Sequence, residues 1–317
     1  MKSSKILITG GSGFVGANLI RSLINSKHEV NLLLRKKTNI WRINNILSQV
    51  NIYDSDLLDK KALSTIVAKI KPDYIFHLAA HGAYSSQTNL DEMIATNIIG
   101  LSNLLEASLA ISYKCFVNTG SSSEYGYKQK PMKETDLLQP ESFYAATKAS
   151  ATYLSQVFAK KYNKPIITFR LFSVFGPYED PTRLIPTAIT SALSNKTLAL
   201  TSGIVKRDFI YVEDVVKAYL QTMKKKIKPG EIYNIGTGKQ YSNDDVAKII
   251  KSLNNNKLKI KKGAFSKRSW DTNYWIANSQ HSKEDLSWIA GTPLKDGLKK
   301  TYDWFVENKE KYKKIYG

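Results

Sequence analysis

The stretch Thr9-Gly10-Gly11-Ser12-Gly13-Phe14-Val15-Gly16-Ala17-Asn18-Leu19 decides how this chain folds, because it sets glycines 10, 13 and 16 between an apolar run and a helical pattern. The residues before it, KILIT from position 5, read as a strand, and ANLIRSLINSK reads as a helix. A strand-to-helix turn of this kind brings backbone amides close to a pyrophosphate and aims a helix N-terminus at the anion. Glycine triplets also make ordinary turns. The flanking strand and helix are what point to a dinucleotide site, with Gly10, Gly13, Phe14, Val15 and Gly16 as its expected contacts.

Downstream, strand and helix patterns alternate. EVNLLLR reads as a strand, KALSTIVAKI as a helix closed by Pro72, DYIFHLAA as a strand and TNIIGLSNLLEASLA as a helix. CFVNTGS, the long helix FYAATKASATYLSQVFAKKY and the strand PIITFRLFSVFG follow. Such regular alternation implies a parallel sheet with right-handed crossovers and helices on both faces, an α/β, Rossmann-type doubly wound fold. After about residue 173 the texture changes: Pro177, Pro181 and Pro186 punctuate a loop leading into the helix LIPTAITSALSN. Short strands (LALTSG, DFIYV, EIYNIG) then mix with the helices EDVVKAYLQTM and NDDVAKIIKSL. We expect residues 1–173 to form a dinucleotide-binding domain, with a strand and helix returning from about 208–236. Residues 174–317 are expected to form a smaller C-terminal substrate-binding lobe over the carboxyl ends of the parallel strands.

Composition narrows the class further. A chain of 317 residues with 42% hydrophobic content can bury a large core, which excludes general disorder. Cys115 stands alone in an apolar run, so there is no disulfide framework and no thiolate cluster. His28, His77, His81 and His281 have no metal-site spacing, and no metal is expected. The first apolar stretch is too short for a signal peptide, and no later run approaches the ~20 residues of a membrane span, so a cytoplasmic protein with no membrane partner is expected. The net charge of +20 raises the question of nucleic acid. The lysines, however, fall in scattered clusters (224–226, 257–262, 309–314) flanking helical patterns, as solvated faces do, and no nucleic-acid partner is expected.

An NAD site places an Asp or Glu about 20 residues beyond the glycines, on the ribose 2′-hydroxyl. Here no acidic residue occurs from Val30 to Tyr53, and the second strand ends in Leu34-Arg35-Lys36-Lys37. A 2′-phosphate would meet Arg35 and Lys36 there, which favours NADP(H) and leaves NAD(H) open, since a basic loop can also simply follow a strand. Tyr144 and Lys148 stand four apart in FYAATKAS and so share a helix face. A free phenol, with a pKa of ~10, is a poor acid-base catalyst at neutral pH; an ammonium and an oxidised nicotinamide would lower it. Tyr-x-x-x-Lys arises by chance on exposed helices, but this pair follows a strand ending in Ser121-Ser122-Ser123. A serine hydroxyl there can hold a substrate oxygen while Tyr144 exchanges its proton. His81 and Tyr84, just past the strand DYIFHLAA, fall at the expected pocket floor as sugar contacts or as packing residues. The C-terminal Tyr302, Trp304 and Phe305 have helical spacing suited to core contacts.

In order along the chain, TGGSGFVG, HLAA (77–80), Asn97, SSSEYG, YAATK, FGPYEDPTRLIP, KRDFIYVEDVV, YNIGTG and KRSWDTNYWIAN resemble the extended short-chain dehydrogenase/reductases that act on nucleotide sugars: epimerases, 4,6-dehydratases and 4-keto reductases. The resemblance implies that Asp56 and Leu57 lie by the adenine, that Leu78, Ala79, Ala80 and Asn97 line the cofactor, and that Ser121, Tyr144 and Lys148 form the catalytic triad. It implies that Arg207 and Arg268 grip a diphosphate, a task suited to the planar guanidinium. It also implies that Ser122, Ser123, Ser173, Leu184, Ile185 and Pro186 contact the nucleotide sugar, and that a homodimer forms through the helices TNIIGLSNLLEASLA and FYAATKAS.

All three reactions share hydride transfer at a sugar carbon, so neighbouring residues must choose between them. A 4,6-dehydratase also needs an extra acid and base, and the resemblance implies that these follow the catalytic hydroxyl directly, as Asp-Glu or with a Glu two places on. Those positions hold Ser122 and Ser123, and Glu124, on an extended strand, should point away from Ser123. The favoured expectation is NADPH-dependent reduction of a nucleotide-linked 4-keto-6-deoxyhexose at C4. An NAD-dependent 4-epimerase is the close alternative and a 4,6-dehydratase the lesser one. Redox-sensing or RNA-binding relatives usually lack the Tyr or Lys present here, and a steroid- or flavonoid-type reductase should carry apolar residues at 207 and 268.

Overall fold

The computed structural model describes residues 3–84, 86–201, 205–266, 271–310 and 312. In chain order its strands are β1 (Lys5–Thr9), β2 (Glu29–Leu34), β3 (Asn51–Asp54), β4 (Tyr74–His77), β5 (Cys115–Ser121), β6 (Ile166–Leu171), β7 (Ser173–Phe175), β8 (Thr197–Thr201), β9 (Lys206–Arg207), β10 (Phe209–Tyr211), β11 (Ile232–Ile235), β12 (Tyr241–Ser242) and β13 (Lys259–Phe265). Its helices are α1 (Phe14–Asn25), α2 (Lys60–Ile70), α3 (Leu90–Ile94), α4 (Leu101–Leu109), α5 (Phe143–Tyr162), α6 (Leu184–Leu193), α7 (Val212–Thr222), α8 (Asn243–Leu253), α9 (Gln280–Leu286) and α10 (Leu294–Glu307). Seven strands form one parallel sheet in the order β11-β6-β5-β4-β1-β2-β3, the doubly wound arrangement expected from the sequence.

Alternation within β1 shows why both faces are covered. Ile6 and Ile8 point into a cluster with Leu19 and Leu23 of α1 and Val215 and Tyr219 of α7. Leu7 points the opposite way, toward Leu63 and Val67 of α2 and Leu101, Leu104 and Leu105 of α4. The interior of β1 is apolar on both sides, as a buried parallel sheet favours, whereas Asn31 of β2, Asn118 of β5 and Arg170 of β6 are buried polar residues.

Three elements depart from the sequence reading. The edge strand β3 is largely exposed and carries the polar sequence NIYD, which offers little hydrophobic signal. PIITFRLFSVFG is two strands, because the backbone switches partners at Phe172: its NH donates to Ile235 O, and the next NH, of Ser173, donates to Asp208 O. The chain thereby leaves the main sheet, and β7 pairs with β10. Third, TNIIGLSNLLEASLA is a helix preceded by a π-helical turn, Ala95–Gly100. Such turns interrupt helices at functional positions. The C-terminal segment gathers around its own core of Phe175, Ile185, Ile189, Val246, Leu298 and Phe305. Among the described residues no helix is long and apolar enough to cross a membrane.

Candidate active site

The carboxyl ends of β1, β4, β5 and β6 open onto one cavity of about 890 Å³, bounded on its far side by the loop from Ser173 to Arg183 and by Arg207 and Trp275. Gly10 turns the end of β1 with φ +70°, and a Cβ there would lie 2.4 Å from Ala79 N. Only glycine fits a left-handed turn pressed against a neighbouring backbone. A Cβ on Gly16 would lie 2.4 Å from Gly10 O, so the third glycine lets α1 pack against the turn. The first turn of α1 has no acidic residue, and its amides face the cavity through Gly13, Phe14 and Val15. This narrow cradle and amide-rich helix start fit a dinucleotide pyrophosphate. Leu57, Leu78, Ala79 and Ala80 are also on the wall.

At the outer end, Arg35 and Asp56 line the cavity, and Lys36 does not. Arg35 lies 3.8 Å from Asp56 and Lys36 lies 3.6 Å from Asp54, pairs that the sequence reading did not foresee. All four side chains are well exposed, so each pair contributes only ~0–1 kcal/mol and holds its cation weakly.

Asn97 also lies off the wall. Buried in the π-helical turn, its amide donates to His81 O and Thr147 Oγ1 and its carbonyl accepts from His81 N, which ties the loop after β4 to α5. His81 itself turns outward to Glu92, 3.1 Å away, while Tyr84 joins the cavity wall.

Ser142 caps α5 by accepting from Ala145 N at 3.1 Å, which sets Tyr144 in the first turn and Lys148 one turn deeper. Both line the cavity with Ser121, so the three residues singled out from the sequence share one wall. Burial pushes the Tyr144 phenol up to about 12; the neighbouring Ser121 hydroxyl lowers it, Glu124 raises it, and Arg183 lowers it. In the protein alone burial thus outweighs any lowering by Lys148. Burial also brings Lys148 down to about 8, opposed by the Glu124 carboxylate. No described residue accepts a hydrogen bond from its ammonium, which leaves a buried cation turned to the cavity.

β5 stops at Ser121, and residues 122–125 form a 3₁₀ turn, so Glu124 is not on an extended strand. It points into the protein all the same, fully buried, where it accepts from Ser121 N (2.7 Å), Thr152 Oγ1 (2.9 Å) and Arg170 Nε (2.8 Å). Ser123 Oγ lies 2.8 Å from Ser121 Oγ, and Trp275 Nε1 donates to Ser122 Oγ at 3.0 Å. Ser122, Ser123 and Ser173 all line the cavity.

Arg207 reaches the wall from β9, stacked 5.2 Å from the Trp275 ring and 3.7 Å from Asp271. Arg268 lies outside the described residues. Leu184, Ile185 and Pro186 are not on the wall: they start α6, with Ile185 buried in the core of the smaller lobe. The wall runs instead through Glu179, Thr182 and Arg183, just upstream, which the sequence reading did not single out. Tyr178 holds that loop in a left-handed conformation, φ 71°, which costs a non-glycine residue ~1–3 kcal/mol. Away from the cavity, Glu231, His281 and Asp285 gather within 4.8 Å, but Lys228 and the Tyr233 hydroxyl already reach Asp285.

Residues 6–236 match the family model described as the NAD dependent epimerase/dehydratase family. A dTDP-glucose 4,6-dehydratase of Escherichia coli is 30% identical, covering 98% of this chain and 96% of its own length. Among solved structures, a UDP-glucuronic acid 4-epimerase from Bacillus cereus, in complex with UDP-glucuronic acid and NAD, superposes with a TM-score of 0.85 at 28% identity, over 96% of this chain and 99% of its own. A UDP-N-acetylglucosamine 4-epimerase from Methanobrevibacter ruminantium superposes with a TM-score of 0.88 at 26% identity, over 97% and 100%.

Proposed function

The chain belongs to the NAD-dependent epimerase/dehydratase family and is a nucleotide-sugar-modifying enzyme, and from that premise we propose that it reduces a nucleotide-linked 4-keto-6-deoxyhexose at C4 with NADPH. The observation that carries this reading is the proton chemistry of the wall. Tyr144 stands with Ser121 and Lys148, and the two positions after Ser121 offer only the hydroxyls of Ser122 and Ser123, so a further acid and base would have to come from other wall residues, Tyr84, Tyr127, Glu141 or Glu179. Ketone reduction requires one proton at one oxygen, whereas 4,6-dehydration also requires a base for C5 and an acid for the departing C6 hydroxyl. Full-length likeness to dehydratases speaks for a shared scaffold; the reaction resides in the site.

When bound, the dinucleotide supplies the hydride. Ser121 holds the sugar carbonyl oxygen, and Tyr144, with a pKa of about 12, is a loaded proton donor at neutral pH. Lys148, cationic below about 8, faces the nicotinamide ribose and stabilises the phenolate left after proton transfer. Arg207 meets the diphosphate, and Arg35 meets the 2′-phosphate in preference to its weak partner Asp56.

A second reading, an NAD-dependent 4-epimerase, is favoured by the NAD in the Bacillus cereus epimerase complex and by the carboxylates that partly offset Arg35 and Lys36. Assaying NADPH and NADH oxidation against a panel of nucleotide-linked 4-keto-sugars separates the two. Oxidation of neither, together with interconversion of unmodified UDP-sugars, selects the epimerase. The homodimer, through the helix TNIIGLSNLLEASLA and α5, belongs to the same proposal: Ile99 of the π-helical turn leading into α4, Ile94 just before it, and Tyr153 and Val157 of α5 are exposed, on the surface that pairing would cover.

A further inference from the structure

Lys259, Lys261 and Lys262, which the sequence reading set beside a helix, stand instead on the short parallel sheet of β8 and β13. Strand pairing fixes which way each residue points. Ile260 pairs with Leu198 and Lys262 with Leu200, and both leucines are buried in the core of the smaller lobe. The alternate positions therefore face outward: Lys259 beside Thr197, Lys261 beside Ala199 and, past a bulge, Phe265 beside Thr201. Lys259 and Lys261 are exposed, and Phe265 is 44% exposed.

This outer face is cationic without compensation. Elsewhere in the lobe lysines meet carboxylates, as Lys228 does with Asp285, Lys299 with Asp303 and Lys300 with Glu213. Even Lys262, on the inner side of the strand, meets Asp244. Among the described residues Lys259 and Lys261 meet none, and from Val246 to Trp270 the chain holds seven lysines and one arginine without an Asp or Glu. Across the pair, Thr197, Ala199 and Thr201 are uncharged, so β8 supplies no anion either. Two residues apart on one side of a strand, the ammonium stems start only about 7 Å from each other and repel. A partner that brings negative charge relieves that repulsion.

Shape and chemistry choose the partner. Neither strand carries Arg, Asn or Gln, so the face has no fork with which to read a base edge. It offers ammonium point charges, small side chains and one phenyl ring. That combination suits an anionic bilayer, with the lysines among the headgroups and the ring at the acyl boundary. We propose that the outer face of β8 and β13 docks the protein on a membrane rich in acidic phospholipid. Docking of this kind is peripheral and needs no spanning helix.

Co-sedimentation of the full chain with vesicles tests this, using phosphatidylcholine alone and phosphatidylcholine mixed with phosphatidylglycerol. Binding is expected for the mixed vesicles only, and it should weaken as salt rises. Each lysine near an anionic surface contributes about fivefold in partitioning, so Lys259→Gln combined with Lys261→Gln should lower it by at least about tenfold. Lys224→Gln combined with Lys226→Gln removes the same charge from the exposed turn after α7 and should change partitioning by less than about threefold. Both double variants should melt with the wild type, since none of the four side chains holds a carboxylate. Equal binding to the two kinds of vesicle would overturn the inference, as would full binding by the Lys259 and Lys261 variant or an equal loss in the Lys224 and Lys226 variant. Capture of a single-stranded oligonucleotide that the Lys259 and Lys261 changes abolish, with no binding to either vesicle, would give the face to nucleic acid and overturn it too.

Discussion

The backbone NH of Ser121 donates a 2.7 Å hydrogen bond to the Glu124 carboxylate, which also accepts from Thr152 on α5 and Arg170 on β6. One buried anion thus ties the end of β5 to the helix bearing Tyr144 and to the next strand. Removing one member of a buried, hydrogen-bonded pair leaves the other uncompensated. Glu124→Ala should therefore cost ~3–5 kcal/mol in a urea unfolding titration. A loss below ~1 kcal/mol would contradict this role.

Tyr144→Phe keeps the ring and removes the proton. Turnover of the nucleotide sugar should drop by about 10² to 10⁴, with dinucleotide affinity nearly unchanged. Near-normal steady-state rates in this variant would remove Tyr144 from the reaction.

The pH profile follows from Lys148. With a value of about 8, it is protonated below that pH and loses its charge above it, so kcat/KM should be level near neutrality and decline above about pH 8. Tyr144, at about 12, stays protonated through this range and adds no second limb. Glu124 is the charge that opposes the fall of Lys148, so the limb should move to lower pH in Glu124→Gln. A profile still rising at pH 9 would argue against a cationic Lys148 in the working state.

Arg35→Glu reverses the charge facing the ribose 2′ position next to Asp56. The ratio of NADPH to NADH efficiency should fall by at least about tenfold, mostly through the KM for NADPH. An unchanged ratio would mean that Arg35 does not read the 2′-phosphate.

Gly10→Ala should be the most damaging single methyl in the cradle. The new Cβ would meet Ala79 N at 2.4 Å from a left-handed backbone, so dinucleotide binding should vanish in a fluorescence titration and the melting temperature should drop.

Much of this architecture is legible in the residues alone, for a physical reason. Two-sided burial turns parallel strands into plain apolar runs, as in Ile6–Ile8 and Cys115–Val117, and the glycine spacing marks the crevice at their carboxyl ends. What escapes is set by the partner and not by the run. Nothing in ITFRLFSVF says that hydrogen bonding shifts from β11 to β10 at Phe172, and the edge strand Asn51–Asp54 has too little burial to need an apolar pattern. At the site, Tyr144, Lys148 and Ser121 can be found because helix spacing and strand ends are local rules. Glu179 cannot, because its burial arises from a strained Tyr178 braced by residues more than a hundred positions away. Leu184, Ile185 and Pro186 lie close in sequence to the wall, yet α6 begins there and turns Ile185 into the lobe core.

The indole of Trp275, anchored to Ser122, forms part of the cavity surface. Ultraviolet excitation of that ring would therefore be handed by energy transfer to a reduced nicotinamide bound alongside. The molecule carries its own unlabelled optical gauge of occupancy, by which loading can be followed in real time through quenching of intrinsic emission.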